Sequence, residues 1–508
     1  MALFHHATVW GCSALLVVMA LGQALCNAPL LRIIELNLCR SYYQSHNPRV
    51  IAPDGDMDER LCKVFSIQKD LATINAYSIV CSALVELLTA FPYASLCGRF
   101  NRRTILAANV ASAFTAQLYT MCICYFYQTF NTKLVWAQSF FCLFGGGGSV
   151  LLSLTNALIA ESLPAANLSK TLFSLNATRL FVNAASQTVG ARLMQENLWI
   201  PVIVGISVHG LTIPALLLIA DPRYRKHKSP ATMTTTSTTT TVTATAPATV
   251  AAASVTDPLL GSSRSSSRSR MSTRAEQQEE DESLLGLIWH SLTSVFWTVV
   301  RLCRDPIAAP TLVVFFWNEL GHGVNNILKQ WASRTFSWTL ASTNYFLAAQ
   351  RGVAGITLIG LSVAVHRLQV AGVPSARLDL CLVAFCQSVT LLGIFGTVVS
   401  SLGGSTRTRS VQFVCSVLVY MMGWGMNGAL QSIVTRVSHP DQITLLYTGL
   451  SVAERMAAVG SGPAFAGLLA KAMQKGGEWE YLPYWVSFGI FLLVSALTVR
   501  LVRMLARL

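Results

Sequence analysis

Charged residues are scarce in this sequence. Asp, Glu, Lys and Arg make up 12% of its 508 residues, against about 25% in soluble proteins. Hydrophobic residues reach 53%, and the mean hydropathy is +0.50. So few charges cannot cover the surface of soluble domains of this total length. The composition therefore excludes the soluble, disordered and collagen-like classes and predicts an all-α polytopic membrane protein.

Several functional motifs are also missing. There is no G-x-x-x-x-G-K-[ST] phosphate-binding loop, which argues against ATP-driven transport. The H-E-x-x-H, G-x-S-x-G and paired-cysteine metal patterns are absent too, so we expect no metal, no cofactor and no enzymatic activity. The net charge of +14 is not accompanied by a nucleic-acid-binding signature. It fits basic residues that face a cytoplasmic membrane surface, so the expected partner is membrane lipid and not nucleic acid.

Apolar runs near 20 residues long predict twelve transmembrane helices. They form two blocks of six, so we expect an N-terminal bundle over 1–220 and a C-terminal bundle over 306–508. The segment between them, 221–305, is rich in Thr, Ala and Ser and then acidic, which predicts a largely disordered linker. An apolar stripe at its end, over 284–303, predicts an interfacial helix. The predicted spans are 8–30, 71–97, 104–127, 134–160, 171–194, 199–220, 306–330, 341–366, 379–402, 411–435, 443–470 and 482–502.

The arginines indicate how the chain is oriented. The short loop after the second span holds Arg99, Arg102 and Arg103, and the C-terminal tail is also basic. Short loops rich in Lys and Arg stay on the cytoplasmic side. Both termini and the linker are therefore predicted to be cytoplasmic. The first apolar run has no Lys or Arg before it and continues to Leu31, so we expect a retained span and not a signal peptide.

Two blocks of six spans with a long cytoplasmic linker resemble the plan of the major facilitator superfamily. The superfamily signature between spans two and three, G-x-x-x-D-R-x-G-R-[RK], aligns here with ASLCGRFNRR, residues 94–103. The three arginines match. Ala94, Gly98 and Asn101 stand in place of the first Gly, the Asp and the second Gly.

Three further stretches resemble a fungal subgroup of the superfamily that is often linked to secondary-metabolite clusters. They are the first external loop (38–72), the segment after span seven (328–352) and the last span (478–493). The resemblance implies two six-helix pseudo-repeats and proton-coupled export of a secondary metabolite, a small organic molecule, at the plasma membrane. The alternatives are a proton-coupled uptake symporter for nutrients and, in another class, a membrane-embedded enzyme or a non-transporting receptor.

The linker contains EDESLL, residues 280–285, which resembles an acidic-dileucine sorting signal. Such a signal would recruit a sorting adaptor and place the protein in the vacuolar membrane. The alternative is a chance match, because Leu284 and Leu285 also begin the predicted interfacial helix.

Ionisable side chains within the spans are the first candidates for the path of substrate and protons, because they are costly to bury unless paired or hydrated. Span seven is the most polar, and Glu319 and His322 share a helix face there. Glu319 is the favoured proton carrier, and Arg351 is expected to pair with Glu454. The alternative throughout is a structural hydrogen bond between helices. The candidate set is Glu86, Arg179, Asn318, Glu319, His322, Asn325, Arg351, Glu454 and Arg455.

The signature loop carries a second prediction. In the superfamily its Asp helps to hold one conformer by pairing with basic residues at the cytoplasmic ends of helices. Gly98 replaces that Asp here, so we predict that Glu161 substitutes as the partner of Arg99 or Arg102. The alternative is that the arginines, including Arg103, only anchor the loop to anionic lipid.

Cysteines and glycines complete the sequence predictions. Of the 13 cysteines, only Cys39 and Cys62 fall in a predicted external loop, where oxidising conditions favour a disulfide. Spans four and ten are pseudo-equivalent and both are glycine-rich, over 145–148 and 423–428. Small residues let helices approach closely and move against each other, which supports a two-repeat fold.

Overall fold

The computed structural model describes most of both predicted bundles. The linker over 221–305 lies outside the described residues except for three isolated positions, so the predicted disordered segment, the interfacial helix and the EDESLL motif are not described. The described residues contain no β-strand. They are 2–51, 57–162, 165–212, 308–402, 405–430 and 440–505, with the single positions 216, 219, 293, 297 and 304.

Helices occupy nearly all of the described chain. The N-terminal half contains α1 (Ala2–His46), α2 (Phe65–Arg99), α3 (Arg102–Tyr125), α4 (Gly147–Ser162), α5 (Ala165–Glu196) and α6 (Trp199–Gly210). The C-terminal half contains α7 (Ala308–His322), α8 (Leu328–Thr335), α9 (Leu340–Val370), α10 (Ser375–Val399), α11 (Thr406–Met422), α12 (Pro440–Lys475) and α13 (Leu482–Leu505). A 3-10 helix, Thr132–Phe144, precedes α4.

The number of membrane-spanning helices agrees with the prediction in part. Within the described ranges, nine helical stretches are long and apolar enough to cross a membrane. The other three predicted spans correspond to α5, which is less apolar, to α6, which has 12 residues, and to α7, which has 15. The all-α membrane fold is thus confirmed, and the full set of twelve spans stays a prediction.

The first helix is much longer than the predicted span 8–30. It passes through Pro29 and ends at His46, because the residues after Pro29 remain apolar and bury Ile33 and Leu36. The predicted external loop 38–72 is correspondingly shorter, since α2 begins at Phe65. Cys39 therefore lies in a helix and not in a loop.

The two halves repeat the same packing. In the first half α1 packs against α5 and α6, and in the second half α7 packs against α12 and α13. The halves meet along α2 with α12 and along α5 with α9. Helices α2 and α9 are the second spans of their halves, and α5 and α12 are the fifth spans. Both contacts therefore join a second span to a fifth span, as expected for two repeats related by a pseudo-two-fold axis.

The glycines of span four interrupt the helix. The 3-10 helix ends at Phe144, and Gly146 and Gly147 have φ angles of +83° and +71°, which favour glycine. The interruption frees backbone carbonyls that require donors in an apolar medium. Asn109 Nδ2 donates to the carbonyls of Gly145 (2.6 Å) and Gly147 (2.7 Å), and Thr89 Oγ1 donates to that of Gly146 (3.1 Å).

Span ten is interrupted at the equivalent place. Helix α11 ends at Met422, and a 3-10 turn follows over Gly423–Gly425. Gly423 lies against Cys386 and Thr390 of α10, as Gly145 lies against Asn109 and Ser112 of α3. In each half, therefore, the interruption packs against the helix that precedes it in the chain.

We expect Gly145→Ala and Gly423→Ala each to destabilise the protein, because an added Cβ would overlap Ser112 or Thr390. Overpacking of this kind costs about 1–3 kcal/mol. Gly428→Ala is the matched control, since its added Cβ would meet no atom within 4 Å. The measurement is the apparent melting temperature in detergent, followed by size-exclusion chromatography. Equal melting temperatures for the three variants would contradict the close packing.

Candidate functional site

The polar segment of span seven is hydrogen-bonded to Asn427, which follows the interruption of span ten. Asn427 Nδ2 donates to Glu319 Oε1 at 2.7 Å, and Asn318 Nδ2 donates to Asn427 Oδ1 at 2.8 Å. Asn318 is buried, whereas Glu319 is partly exposed. Asn318 therefore joins two helices. Glu319 holds its carboxylate by a neutral amide and makes no ion pair within the described residues.

His322, at the end of α7, lies in an aromatic pocket. Its ring centroid is 5.5 Å from that of Tyr420, 5.2 Å from Trp424 and 5.1 Å from Phe491. His322 Nδ1 forms a short hydrogen bond with the Tyr420 hydroxyl, and Asn325 Nδ2 donates to the same hydroxyl at 3.1 Å. The buried Tyr420 thus connects two candidate residues of span seven.

The glycines of span seven serve close packing at the end of α7. An added Cβ at Gly321 would lie 3.0 Å from Phe491, and Ser487 Oγ donates to the Gly321 carbonyl at 3.0 Å. A 3-10 turn follows over Gly323–Asn326. The helix is therefore interrupted where its freed carbonyl has a donor, as in span four.

An ion pair joins the two halves where α2 packs against α12. Arg455 of α12 lies 2.9 Å from Glu86 of α2. The predicted partner of Arg351 was Glu454, but these two form no ion pair within the described residues. Arg351 instead lies with its Cζ 5.7 Å from the ring centroid of Trp424. Adjacent residues on a helix point about 100° apart, and it is Arg455 that reaches the other half.

The remaining candidate residues, Arg179 and those of the signature loop, belong neither to the polar cluster of span seven nor to the ion pair. Arg179 is partly exposed, and its buried Nε has no hydrogen-bond partner in the described part of the chain. Arg102 is buried, and Asn101 caps α3 by accepting from the Arg103 amide at 2.9 Å. The side chains of Arg99 and Glu161 lie outside the described set, so the substitute lock stays a prediction.

A second charged cluster, which the sequence did not suggest, surrounds Glu35 of α1. The Glu35 carboxylate is 1% exposed and accepts from Arg32 (2.9 Å), Lys63 (2.8 Å) and Gln68 (2.6 Å). Lys63 also lies 2.9 Å from Glu59. The sequence does contain one signal for this cluster, because Arg32 and Glu35 are opposite charges three residues apart within an apolar run.

A disulfide fixes this cluster. Cys39 and Cys62, the predicted pair, are joined, with their Cα atoms 5.3 Å apart. Cys62 belongs to the 3-10 helix Glu59–Lys63, which supplies Glu59 and Lys63 to the cluster. The bond therefore ties this short helix to α1, and we call this end of the molecule the disulfide end.

The two halves are bonded to each other at the disulfide end. Glu59 Oε1 accepts from the Leu340 amide at 2.9 Å, at the start of α9, where the helix dipole favours a negative charge. Gln330 Nε2 donates to Gln68 Oε1 at 3.0 Å. Farther along α2, Asn75 Nδ2 donates to the Asn326 carbonyl at 3.1 Å. Direct bonds thus hold the disulfide end closed.

No family model matches the chain. Curated relatives nevertheless match it over nearly its whole length. The MFS efflux pump atnC of Emericella nidulans is 23% identical and covers 94% of this chain and 84% of its own. The MFS transporter SAT21 of Stachybotrys chartarum is 24% identical over 97% and 95%. The efflux pump ustT of Aspergillus flavus is 25% identical over 89% and 79%.

Solved structures decide the fold. A D-xylose-proton symporter superposes with a TM-score of 0.54 at 14% identity, covering 98% of this chain and 97% of its own. A POT family transporter gives 0.53 at 10% identity and 96% of each chain. This is the major facilitator fold. The curated relatives, which are fungal proteins named as MFS transporters or efflux pumps, confirm the expected resemblance to fungal members of the major facilitator superfamily.

The contacts of the disulfide end lead to a test of what holds the two halves together there. We expect Glu59→Ala to loosen the disulfide end, because the Leu340 amide loses its acceptor in the other half and Lys63 keeps only Glu35 as a partner. Hydrogen bonds to a charged group are worth about 1.5–3 kcal/mol, so peptides covering 326–345 should exchange backbone hydrogen about tenfold faster. The measurement is hydrogen exchange with mass spectrometry.

The matched control for the loosening is Glu196→Ala. Glu196 makes an ion pair with Arg192 at 3.1 Å, on the exposed surface of α5, and exposed pairs contribute little. Its exchange at 326–345 should match the wild type. Unchanged exchange in Glu59→Ala as well would show that Glu59 does not hold the halves together.

Proposed function

We propose that the chain is a secondary active transporter that exports a small organic molecule and is driven by the proton gradient. The observation that carries this proposal is the similarity, over nearly the whole chain, to fungal proteins named efflux pumps, atnC and ustT. The xylose symporter supports the fold alone, so it does not favour nutrient uptake. No nucleotide-binding motif is present in the sequence, and this leaves an ion gradient as the expected energy source.

The plasma membrane is the proposed location, because an exporter must deliver its substrate outside the cell. The membrane and a small-molecule substrate are the partners we propose, with protons as the coupling ion and no enzymatic activity. The EDESLL motif, with its sorting adaptor and a vacuolar location, remains the alternative prediction.

The direct test of export is to delete the gene and to compare metabolites inside the cells and in the medium. We expect at least one organic metabolite to rise inside the cells and to fall in the medium. Reintroduction of the wild-type chain should restore the distribution. If every metabolite is distributed as in the wild type, the chain is not an exporter of the host's own products.

We propose Glu319 as the proton carrier. Its partner Asn427 is neutral, so the carboxylate can gain or lose a proton without breaking an ion pair. Glu86 is held by Arg455 and suits a structural link between the halves. Glu454, which has no ion-pair partner within the described residues, therefore becomes the second choice, ahead of Glu86.

We expect Glu319→Gln to abolish uphill transport in vesicles with a pH gradient. Glutamine keeps an oxygen that accepts from Asn427 but cannot carry a proton, so protein level should not change. Exchange at equal pH, measured with the metabolite identified by the gene deletion, should survive. Glu196→Gln is the matched control. Uphill transport at the wild-type rate by Glu319→Gln would assign the proton to another carboxylate, with Glu454 tested next.

A further inference from the structure

The helix interruption of span ten is attached to span seven on both of its sides. Before the 3-10 turn Gly423–Gly425, the Tyr420 hydroxyl accepts from Asn325 Nδ2 at 3.1 Å. After the turn, Asn427 Nδ2 donates to Glu319 Oε1 at 2.7 Å. Both attachments end on span seven, so the turn lies between two points of contact with the same neighbour. A change in either attachment therefore acts on the turn.

The attachment after the turn has a fixed direction. An ionised carboxylate can only accept hydrogen bonds, so Asn427 must present an N–H group to Glu319. The Asn427 Oδ1 atom then accepts from Asn318 Nδ2 at 2.8 Å. The chain ends there, because the buried Asn318 Oδ1 has no hydrogen-bond partner in the described part of the molecule. Of the two hydrogen bonds that hold Asn427, it is the one to Glu319 that involves a charged group.

Protonation of Glu319 changes the strength of this attachment. Glu319 is partly exposed, so water can reach it. When the side chain takes up a proton from water, the carboxylate becomes a neutral carboxylic acid. Hydrogen bonds to ionised groups are roughly twice as strong as those between neutral groups. The proton therefore weakens the hold on Asn427, whereas the bond between Asn325 and Tyr420 on the other side of the turn involves no charged group.

The turn is closely packed against its neighbours. An added Cβ at Gly423 would overlap Thr390 of α10, and one at Gly425 would lie 3.3 Å from Leu358 of α9. Closely packed elements change between discrete arrangements and do not deform continuously. A weaker attachment at Asn427 is therefore expected to raise the population of a second, less protected arrangement of the turn.

Other titratable groups lie near Glu319, but none of them bonds to Asn427 within the described residues. Three lie within electrostatic range of Glu319, on α7, α11 and α12: His322, Tyr420 and Glu454. Helix α13, which also packs against α7, has no titratable side chain over 485–499. A response to pH that depends on both Glu319 and Asn427 therefore identifies Glu319 as its source.

We propose that Asn427 couples the protonation of Glu319 to the helix interruption of span ten. Asn427 is a positioning residue, because it holds the ionised carboxylate and lies two residues after the turn. The proposal rests on Glu319 as the proton carrier proposed above. It adds the group through which the proton acts on the arrangement of the helices.

The test is hydrogen exchange of residues 421–430, measured by mass spectrometry on the full chain in nanodiscs. Protection is expressed relative to the intrinsic exchange rate at each pH, which removes the direct effect of pH on exchange. In the wild type we expect protection to fall about tenfold between a pH of about 8 and a pH of about 5. Glu319→Gln, which is neutral at every pH, should have the lower protection at both. Asn427→Ala should behave in the same way, because the donor is missing.

Tyr420→Phe is the matched control on the other side of the turn. It removes a hydroxyl group but leaves Glu319 and Asn427 in place, so protection should fall at both pH values and the response to pH should remain. Glu196→Gln, on the exposed surface of α5, should match the wild type. Glu454→Gln should retain the response, and its loss there with retention in Glu319→Gln overturns the proposal.

Each variant is first checked for a single folded species by size-exclusion chromatography. If Asn427→Ala does not fold, Glu319→Gln decides, because glutamine keeps the size of the side chain and an acceptor oxygen. Equal protection in the wild type and Glu319→Gln at both pH values overturns the proposal. A response to pH that persists in Asn427→Ala also overturns it.

Failure of this coupling and failure of the proton carrier give different results. Loss of uphill transport in Glu319→Gln, with exchange equal to that of the wild type at both pH values, overturns the coupling and leaves the carrier standing. A response to pH that is lost in Glu319→Gln, with uphill transport at the wild-type rate, overturns the carrier and leaves the coupling standing.

Discussion

An apolar medium offers no hydrogen-bond donors, so every backbone carbonyl that a helix interruption releases must find one inside the protein. This constraint shapes the described core. Span four can break only where Asn109 and Thr89 supply donors, and the break sets Gly147 beside Glu86. At the end of α7, Ser487 donates to Gly321, and the turn that follows positions Asn325 on Tyr420. The polar groups of span seven are thus placed by an interruption in which the Gly321 carbonyl has a side-chain donor.

Buried charges also need partners inside the protein, but the charged groups of the two halves differ in how completely they are paired. In the N-terminal half, Glu35 has three donors, and the disulfide holds the short helix that supplies one of them. That cluster can be rigid, and it presents Glu59 to the first amide of α9 in the other half. In the C-terminal half, Glu319 has only an amide partner, while Lys329 and Arg351 have no carboxylate partner within the described residues. Fully paired charges suit a rigid contact between the halves, whereas weakly paired charges can change partners when the protein changes conformation.

Composition and apolar run length were sufficient to predict the all-α membrane class and the two blocks of spans, because an apolar run of about 20 residues can be explained by few structures other than a membrane-spanning helix. The Cys39–Cys62 pair also followed from the sequence, although the structure extends α1 past Cys39. The partner of Arg455 did not follow, since it lies in the other half and depends on how α2 packs against α12. Tyr420 was missed because one tyrosine in an apolar run carries no periodic signal.

The hydrogen bonds of Tyr420 link two polar residues of span seven, His322 and Asn325, through one hydroxyl group. Asn325 donates its amide hydrogen to the Tyr420 oxygen, so the Tyr420 hydroxyl hydrogen points to His322 Nδ1 when that nitrogen is unprotonated. If His322 takes up a proton at Nδ1, the nitrogen becomes a donor, and the Tyr420 oxygen must accept both bonds. A proton at Nδ1 of His322 would therefore reverse the direction of this hydrogen bond and free the hydroxyl hydrogen of Tyr420 to turn to another acceptor.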